Sequence, residues 1–221
     1  MKKIVIIGSS GHARVVIDII EKQNEFEIVG LIDSFRKVNE KTYDYKILGN
    51  ENDLPALTSK LGLYGCIVAI GDNWNRKIMV EKVQNLKTGL NFISAVHPSV
   101  QIGKEVEIGE GTVVMAGAII NSGSKIKNHV IINTQASIDH DCYIDDFAGI
   151  SPGAVLGGYV KVGKFSVIAL GSTVLNKIEV GDHSIVGAGS LLLKNLGDNE
   201  IAYGIPAKFI RKREIGEKYL L

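Results

Sequence analysis

The run Ser137-Ile138-Asp139-His140-Asp141-Cys142 concentrates groups that could do chemistry. An imidazole near its reference pKa of about 6.5 can take a proton at neutral pH, and a carboxylate beside it raises its basicity and can fix its tautomer. His140 therefore suits the work of a general base; the competing reading is a solvated surface histidine flanked by two acids. Adjacent strand residues point to opposite faces, so Asp139 and Asp141 need not both reach the ring. Cys142 could carry an acyl group, but its place among small inward residues favours packing.

A second candidate is the loop Gly8-Ser9-Ser10-Gly11. Its glycines let the backbone approach a ligand, and a helix starting behind it would offer free N–H groups to a phosphate or carboxylate. Asp33, ending a second strand, could accept hydrogen bonds from a ribose or base. The spacing is GxxG and not the GxGxxG dinucleotide fingerprint, so a nucleotide-linked substrate, a dinucleotide and a ligand-free turn all remain open. A metal site is not expected: it needs about three converging imidazoles, and His129 and His183 stand 54 residues apart, roughly 14 Å in the coil inferred next.

The element that must position His140 is a repeat. From Ile102 to Leu192 an aliphatic residue returns every six positions, and four places after nearly every one stands a small or β-branched residue such as Thr112, Ala136, Cys142 or Ser172. Helices bury every third or fourth residue and ordinary strands every second one. A period of six predicts a coil of very short parallel strands, three hexads to each triangular turn, with both columns facing inward. Glycines after the aliphatic residue, as at Gly103, Gly157 and Gly181, are expected at corners that need an unusual backbone conformation.

Upstream of the repeat, strands are expected at 3–7, 27–32, 46–48, 66–70 and 91–96, and helices at 13–22, 54–61 and 75–86. Strands alternating with helices predict a small parallel sheet of Rossmann-like type. The expected division is residues 1–96 as the Rossmann-like domain, 97–196 as the coil and 197–221 as a tail. Lys208, Arg211, Lys212 and Arg213 in that tail could meet phosphates or simply lie in solvent. Among 221 residues the formal net charge is +1, which gives no reason to expect a nucleic-acid or membrane partner. Two cysteines in apolar positions, no signal-peptide pattern and no long apolar run lead to the expectation of a cytoplasmic protein without disulfides.

Across almost its whole length the sequence resembles the bacterial hexapeptide-repeat sugar acyltransferases with an amino-terminal Rossmann-like domain. That family includes acetyltransferases of UDP-4-amino-sugar biosynthesis and sialic acid O-acetyltransferase-like proteins. The matching motifs are Gly8-Ser9-Ser10-Gly11-His12-Ala13, Leu31-Ile32-Asp33, Ala69-Ile70-Gly71-Asp72-Asn73, Asp139-His140-Asp141-Cys142, Ile150-Ser151-Pro152-Gly153-Ala154 and Gly204-Ile205-Pro206-Ala207-Lys208. The resemblance implies an α/β domain followed by a left-handed parallel β-helix, assembled as a homotrimer with acetyl-CoA in clefts between subunits. It implies His140 as general base and Asp141 as the acid that raises its basicity. Ser10, Gly11, His12, Asp33 and Gly71 would hold the nucleotide end of a UDP-sugar, with Asn133 near the acceptor. Coenzyme A would contact Gly149, Gly158, Leu170 and Ala188. Three positions depart from the pattern: Gly149 stands where a histidine is usual, Ala188 replaces a glycine, and Ser34 replaces a second acid after Asp33.

The activity implied is direct acetyl transfer to the 4-amino group of a UDP-4-amino-4,6-dideoxy sugar. Backbone N–H groups near Gly158 would stabilise the oxyanion, without a metal or a covalent intermediate. The alternatives are O-acetylation of sialic acid or a related sugar with the same base, and a non-catalytic nucleotide-binding scaffold.

Overall fold

The computed structural model describes residues 1–219 and divides into two compact units, Met1–Val96 and the chain from His97 onward. In the first, β1 (Lys2–Ile7), β2 (Phe26–Ile32), β3 (Lys41–Thr42), β4 (Tyr45–Gly49), β5 (Gly65–Val68) and β6 (Asn91–Phe92) form one sheet in the order β3-β4-β2-β1-β5-β6. Only the short β3–β4 pairing is antiparallel among these neighbours. Helices α1 (Gly11–Gln23), α2 (Leu54–Leu61) and α3 (Asn73–Asn85) supply the crossovers. Because β1 is sandwiched between β2 and β5, Ile4 to Ile7 are buried on both faces, which explains their unbroken apolar run. Gly8 follows at φ +106°, and a Cβ there would stand 2.9 Å from Ala69 O. The expected strand at 91–96 is two short pieces, Asn91–Phe92 and Ala95–Val96.

The second unit is a left-handed parallel β-helix of two-residue strands. Strands up to Thr173–Val174 pair in parallel with the one 18 residues on, as in Ser137↔Val155 and Ile138↔Leu156. One face stacks Val113–Val114, Ile131–Ile132, Gly149–Ile150, Val167–Ile168 and Ile185–Val186. The second runs from Gln101–Ile102 to Leu191–Leu192, and the third from Glu107–Ile108 to Glu179–Val180. The aliphatic column is buried from Val114 to Leu192; Ile102, in the first coil, is 49% exposed. The hydroxyls of the second inward column avoid an unpaired burial by donating to a carbonyl 15 residues on: Thr112 to Lys127 O, Ser124 to Asp139 O, Ser172 to Gly187 O.

The corner glycines act differently from expectation. The left-handed backbone falls three places after each aliphatic residue, and there non-glycine residues abound: His129, Asp141, Tyr159, Lys177 and His183 all have φ between 54° and 62°. The glycines directly after the aliphatic residue serve close approach of successive coils. A Cβ on Gly103 would lie 2.5 Å from Ser122 N, and one on Gly157 2.7 Å from Asn176 N.

The segment expected as a tail is largely folded. Glu200–Gly204 extends the first face in parallel with Ile185–Val186, and Ala207–Lys212 returns antiparallel to it. The last two residues of the 197–221 segment lie outside the described residues. The basic cluster splits accordingly. Arg213 is buried and donates to the carbonyls of Phe165, His183 and Glu217, whereas Arg211 pairs with Glu217 and Lys212 with Glu200. Among the described residues no helix is long and apolar enough to cross a membrane.

Candidate active site

His140 stands at the corner that follows the second face. Its Nδ1 lies 2.9 Å from Asp141 Oδ2, and half of each side chain is exposed. Asp141 can turn toward the ring because its own backbone is left-handed, at φ 56°. One coil below, Gly123 makes room: a Cβ there would meet Asp141 Oδ1 at 2.6 Å. One coil above, Gly158 does the same for the imidazole, since a Cβ there would sit 2.7 Å from His140 Nε2. Asp139 has another task. Its Oδ1 accepts the His140 backbone N–H at 2.8 Å and the Asn121 amide at 3.0 Å, fixing the backbone below the ring.

These contacts order the charges. The hydrogen bond to Asp141 raises the His140 pKa above its ordinary value; burial opposes this, and the charges of Asp139 and Asp141 add to the rise. The Asn121 bond, then the His140 N–H, hold Asp139 below the usual carboxylate range. An ionised Asp141 on Nδ1 leaves Nε2 as the nitrogen free to accept a proton. Nε2 faces a groove of about 440 Å³ lined by His140, Gly158, Tyr159, Asn176 and Lys177 among others. Among the described residues the Gly158 N–H has no hydrogen-bond partner, so a donor and a proton acceptor border the same groove. Cys142 points inward, donates to Gly157 O, and burial lifts its thiol pKa to about 11, a packed and unreactive state.

The remaining expected positions fall on other parts of the prism. Asn133, Leu170 and Ala188 share the corner after the first face, where Leu170 is 59% exposed and its carbonyl accepts Gly189 N–H. Gly149 lies in a strand of that face and is buried, with the Tyr219 hydroxyl 3.8 Å from where its Cβ would be. One chain therefore brings His140, Asp141 and Gly158 together but leaves the other positions expected to contact coenzyme A on the first face and the corner after it.

In the first unit the loops after β1, β2 and β5 meet at one end of the sheet, the place where α/β folds hold ligands. Ser10 and Gly11 start α1, and the Ser10 side chain makes no capping bond, leaving the helix end open to an anion. Asp33 Oδ2 accepts Ser9 Oγ at 2.5 Å and its Oδ1 accepts Phe35 N at 2.7 Å. Gly71 O accepts the buried Arg76 guanidinium at 2.8 Å. Burial, then the Arg76 charge, pushes the His12 pKa down to about 4, so His12 is neutral, and its Nε2 is buried without a partner among the described residues. Ser34 donates to the buried carboxylate of Glu51, which Lys82 also engages. The acid missing at position 34 thus has a spatial neighbour in Glu51.

Several site residues escaped the sequence reading. Tyr159 packs edge-on to His140, with centroids 5.1 Å apart at 87°, and Lys177 borders the groove one coil further on. Both stand at multiples of 18 from Asp141, the signal that could have found them. Among the described residues no group of three or more His, Cys, Asp or Glu could hold a metal ion.

This fold is that of the hexapeptide-repeat acyltransferases. Residues 3–83 match the family model of the PglD N-terminal domain. The chain is 34% identical over 116 residues to a Bacillus subtilis UDP-N-acetylbacillosamine N-acetyltransferase, a match covering 52% of this chain and 52% of that protein, about half of each. PerB from Caulobacter crescentus, solved with CoA and GDP-perosamine, is 34% identical with a TM-score of 0.88 over 96% of this chain and 98% of its own. That perosamine N-acetyltransferase has also been solved with one histidine replaced by asparagine or by alanine. The acetyltransferase domain of Neisseria gonorrhoeae PglB is 30% identical, with a TM-score of 0.86 over 95% of this chain and 100% of its own. The chain belongs to this family of hexapeptide-repeat sugar N-acetyltransferases with a Rossmann-like amino-terminal domain.

Proposed function

We propose that the chain is an acetyl-CoA-dependent N-acetyltransferase acting on the 4-amino group of a UDP-linked 4-amino-4,6-dideoxy sugar, with His140 as general base. The observation that carries this is the bond from His140 Nδ1 to Asp141, which leaves Nε2 facing the groove beside a Gly158 N–H that has no partner among the described residues. The relatives' reactions, on UDP- and GDP-linked amino sugars, support the substrate class.

Acetyl-CoA supplies the activated acyl group. An amine must lose a proton as it attacks a thioester carbonyl, and Nε2 takes it while Asp141 stabilises the imidazolium. The Gly158 N–H would donate to the oxygen on which charge develops. Ser10, Gly11, His12, Asp33 and Gly71 would hold the nucleotide; neutral, buried His12 suits a ligand hydrogen bond better than an ion pair. In this reading residues 1–96 bind the nucleotide sugar and 97–196 carry transfer. Because Asn133, Gly149, Leu170 and Ala188 lie away from the His140 corner, the cleft would be completed by a neighbouring copy, as a homotrimer allows. Two buried cysteines, neither in a disulfide among the described residues, are in keeping with cytoplasmic residence.

The test is thiol release from acetyl-CoA with UDP- and GDP-linked amino sugars beside free sialic acids. Turnover confined to a UDP-amino sugar, reduced about 10²- to 10⁴-fold by His140→Ala, is expected. Turnover confined to sialic acid, or a fully active His140→Ala enzyme, overturns the assignment.

A further inference from the structure

We propose that Tyr159 is a positioning residue that holds the His140 imidazole in register with Asp141, an inference that rests on His140 being the base. His140 is an unusual place for precise proton transfer, because its side chain is 50% exposed. An imidazole that open to water can turn about two side-chain bonds unless neighbours restrain it. Asp141 restrains one edge, and Gly158 lets the ring lie flat against the coil above. Neither blocks rotation away into solvent.

Tyr159 supplies that block, and both its backbone and its ring are involved. Its N–H donates to His140 O at 3.0 Å, tying the two corners together. Its left-handed backbone, φ 61°, turns the side chain toward the imidazole, in the column that holds Asp141 one coil below. The rings meet at 87°, the edge-to-face arrangement in which aromatic groups attract. Half of the tyrosine remains exposed in the groove, so its surface is not needed for the core. The groups facing the imidazole are thus Asp141 and Asp139 on its own coil, Tyr159 and Gly158 above, Lys177 one coil further along the groove, and the Cys142 thiol beneath its carbonyl.

Tyr159→Asn removes the ring while keeping a residue that tolerates the left-handed conformation, so the coil survives. Tyr159→Phe keeps the ring and removes only the hydroxyl. The expected outcome for the Asn variant is a fall in kcat of about tenfold with both KM values changed less than about twofold. Its acid limb should move to lower pH, because a ring released from Asp141 returns toward an ordinary imidazole. The Phe variant should stay within about twofold of the parent. NMR titration of the His140 ring in the unliganded protein reads the same effect without catalysis: its pKa should drop in the Asn variant only. An unchanged titration in that variant, or a Phe variant as damaged as the Asn variant, overturns the positioning role. His140→Ala tests the base separately, since its full activity would sink the catalytic assignment while leaving the ring titration interpretable.

Discussion

Two corners of the same prism carry histidines at closely related places and treat them in opposite ways. At the corner after the third face, His129, Phe147, Phe165 and His183 stack as a ladder, with successive centroids 5.0, 5.2 and 4.6 Å apart. Burial there, then the nearby Arg213 charge, lowers the His183 pKa. At the corner after the second face, one ring crosses His140 edge-on and two carboxylates raise its pKa. The hexad thus fixes where a side chain emerges, while the residues one coil above and below decide what it can do. In the ladder those neighbours are flat rings, and the result is cohesion. Around His140 they are glycine and tyrosine, joined by the adjacent Asp141, and the result is an accessible proton acceptor.

Gly158→Ala should break this contrast most severely. The added methyl would occupy the space of His140 Nε2 without touching the inward columns. Steady-state kinetics should show kcat down by about 100-fold, in line with the cost of misplacing a catalytic group, and the thermal midpoint should hold. Asp141→Asn should be milder, at about a tenfold loss in kcat, since the ring keeps a neighbour but loses its charge. Its pH profile carries the sign. In the proposed reaction the base works unprotonated, so activity rises as pH climbs through the raised His140 pKa; loss of the carboxylate lowers that pKa and moves the acid limb down. Phe165→Ala should have the smallest effect on catalysis and instead register as stability. Interrupting the ladder should cost about 2 kcal/mol by chemical denaturation, with kcat unchanged.

The inward columns made the coil legible, because burial accepts few residue types and repeats them. Legibility was poorer at the third corner position. There the requirement is a left-handed backbone with the side chain outside, which residues as different as Glu105, His129, Tyr159 and Lys177 satisfy. That variety hides the column and led the corner conformation to be assigned to glycines that instead relieve contacts between coils. His140 and Asp141 stood out as neighbours in sequence, but Gly123, Gly158 and Tyr159 are neighbours only in space. The hairpin at 200–212 lacks the hexad altogether, and its basic residues gave no sign that Arg213 would be buried against three carbonyls.

Because partners around the imidazole sit a full circuit apart, the chain between Asp141 and Gly158 has no freedom in length. Losing a single amino acid there would swap the identities of every residue that overhangs the imidazole. Adding or removing an entire circuit nearer either end would leave that neighbourhood untouched. The architecture therefore lets the shaft grow or shrink by whole steps, while the stretch around the imidazole is held to one spacing.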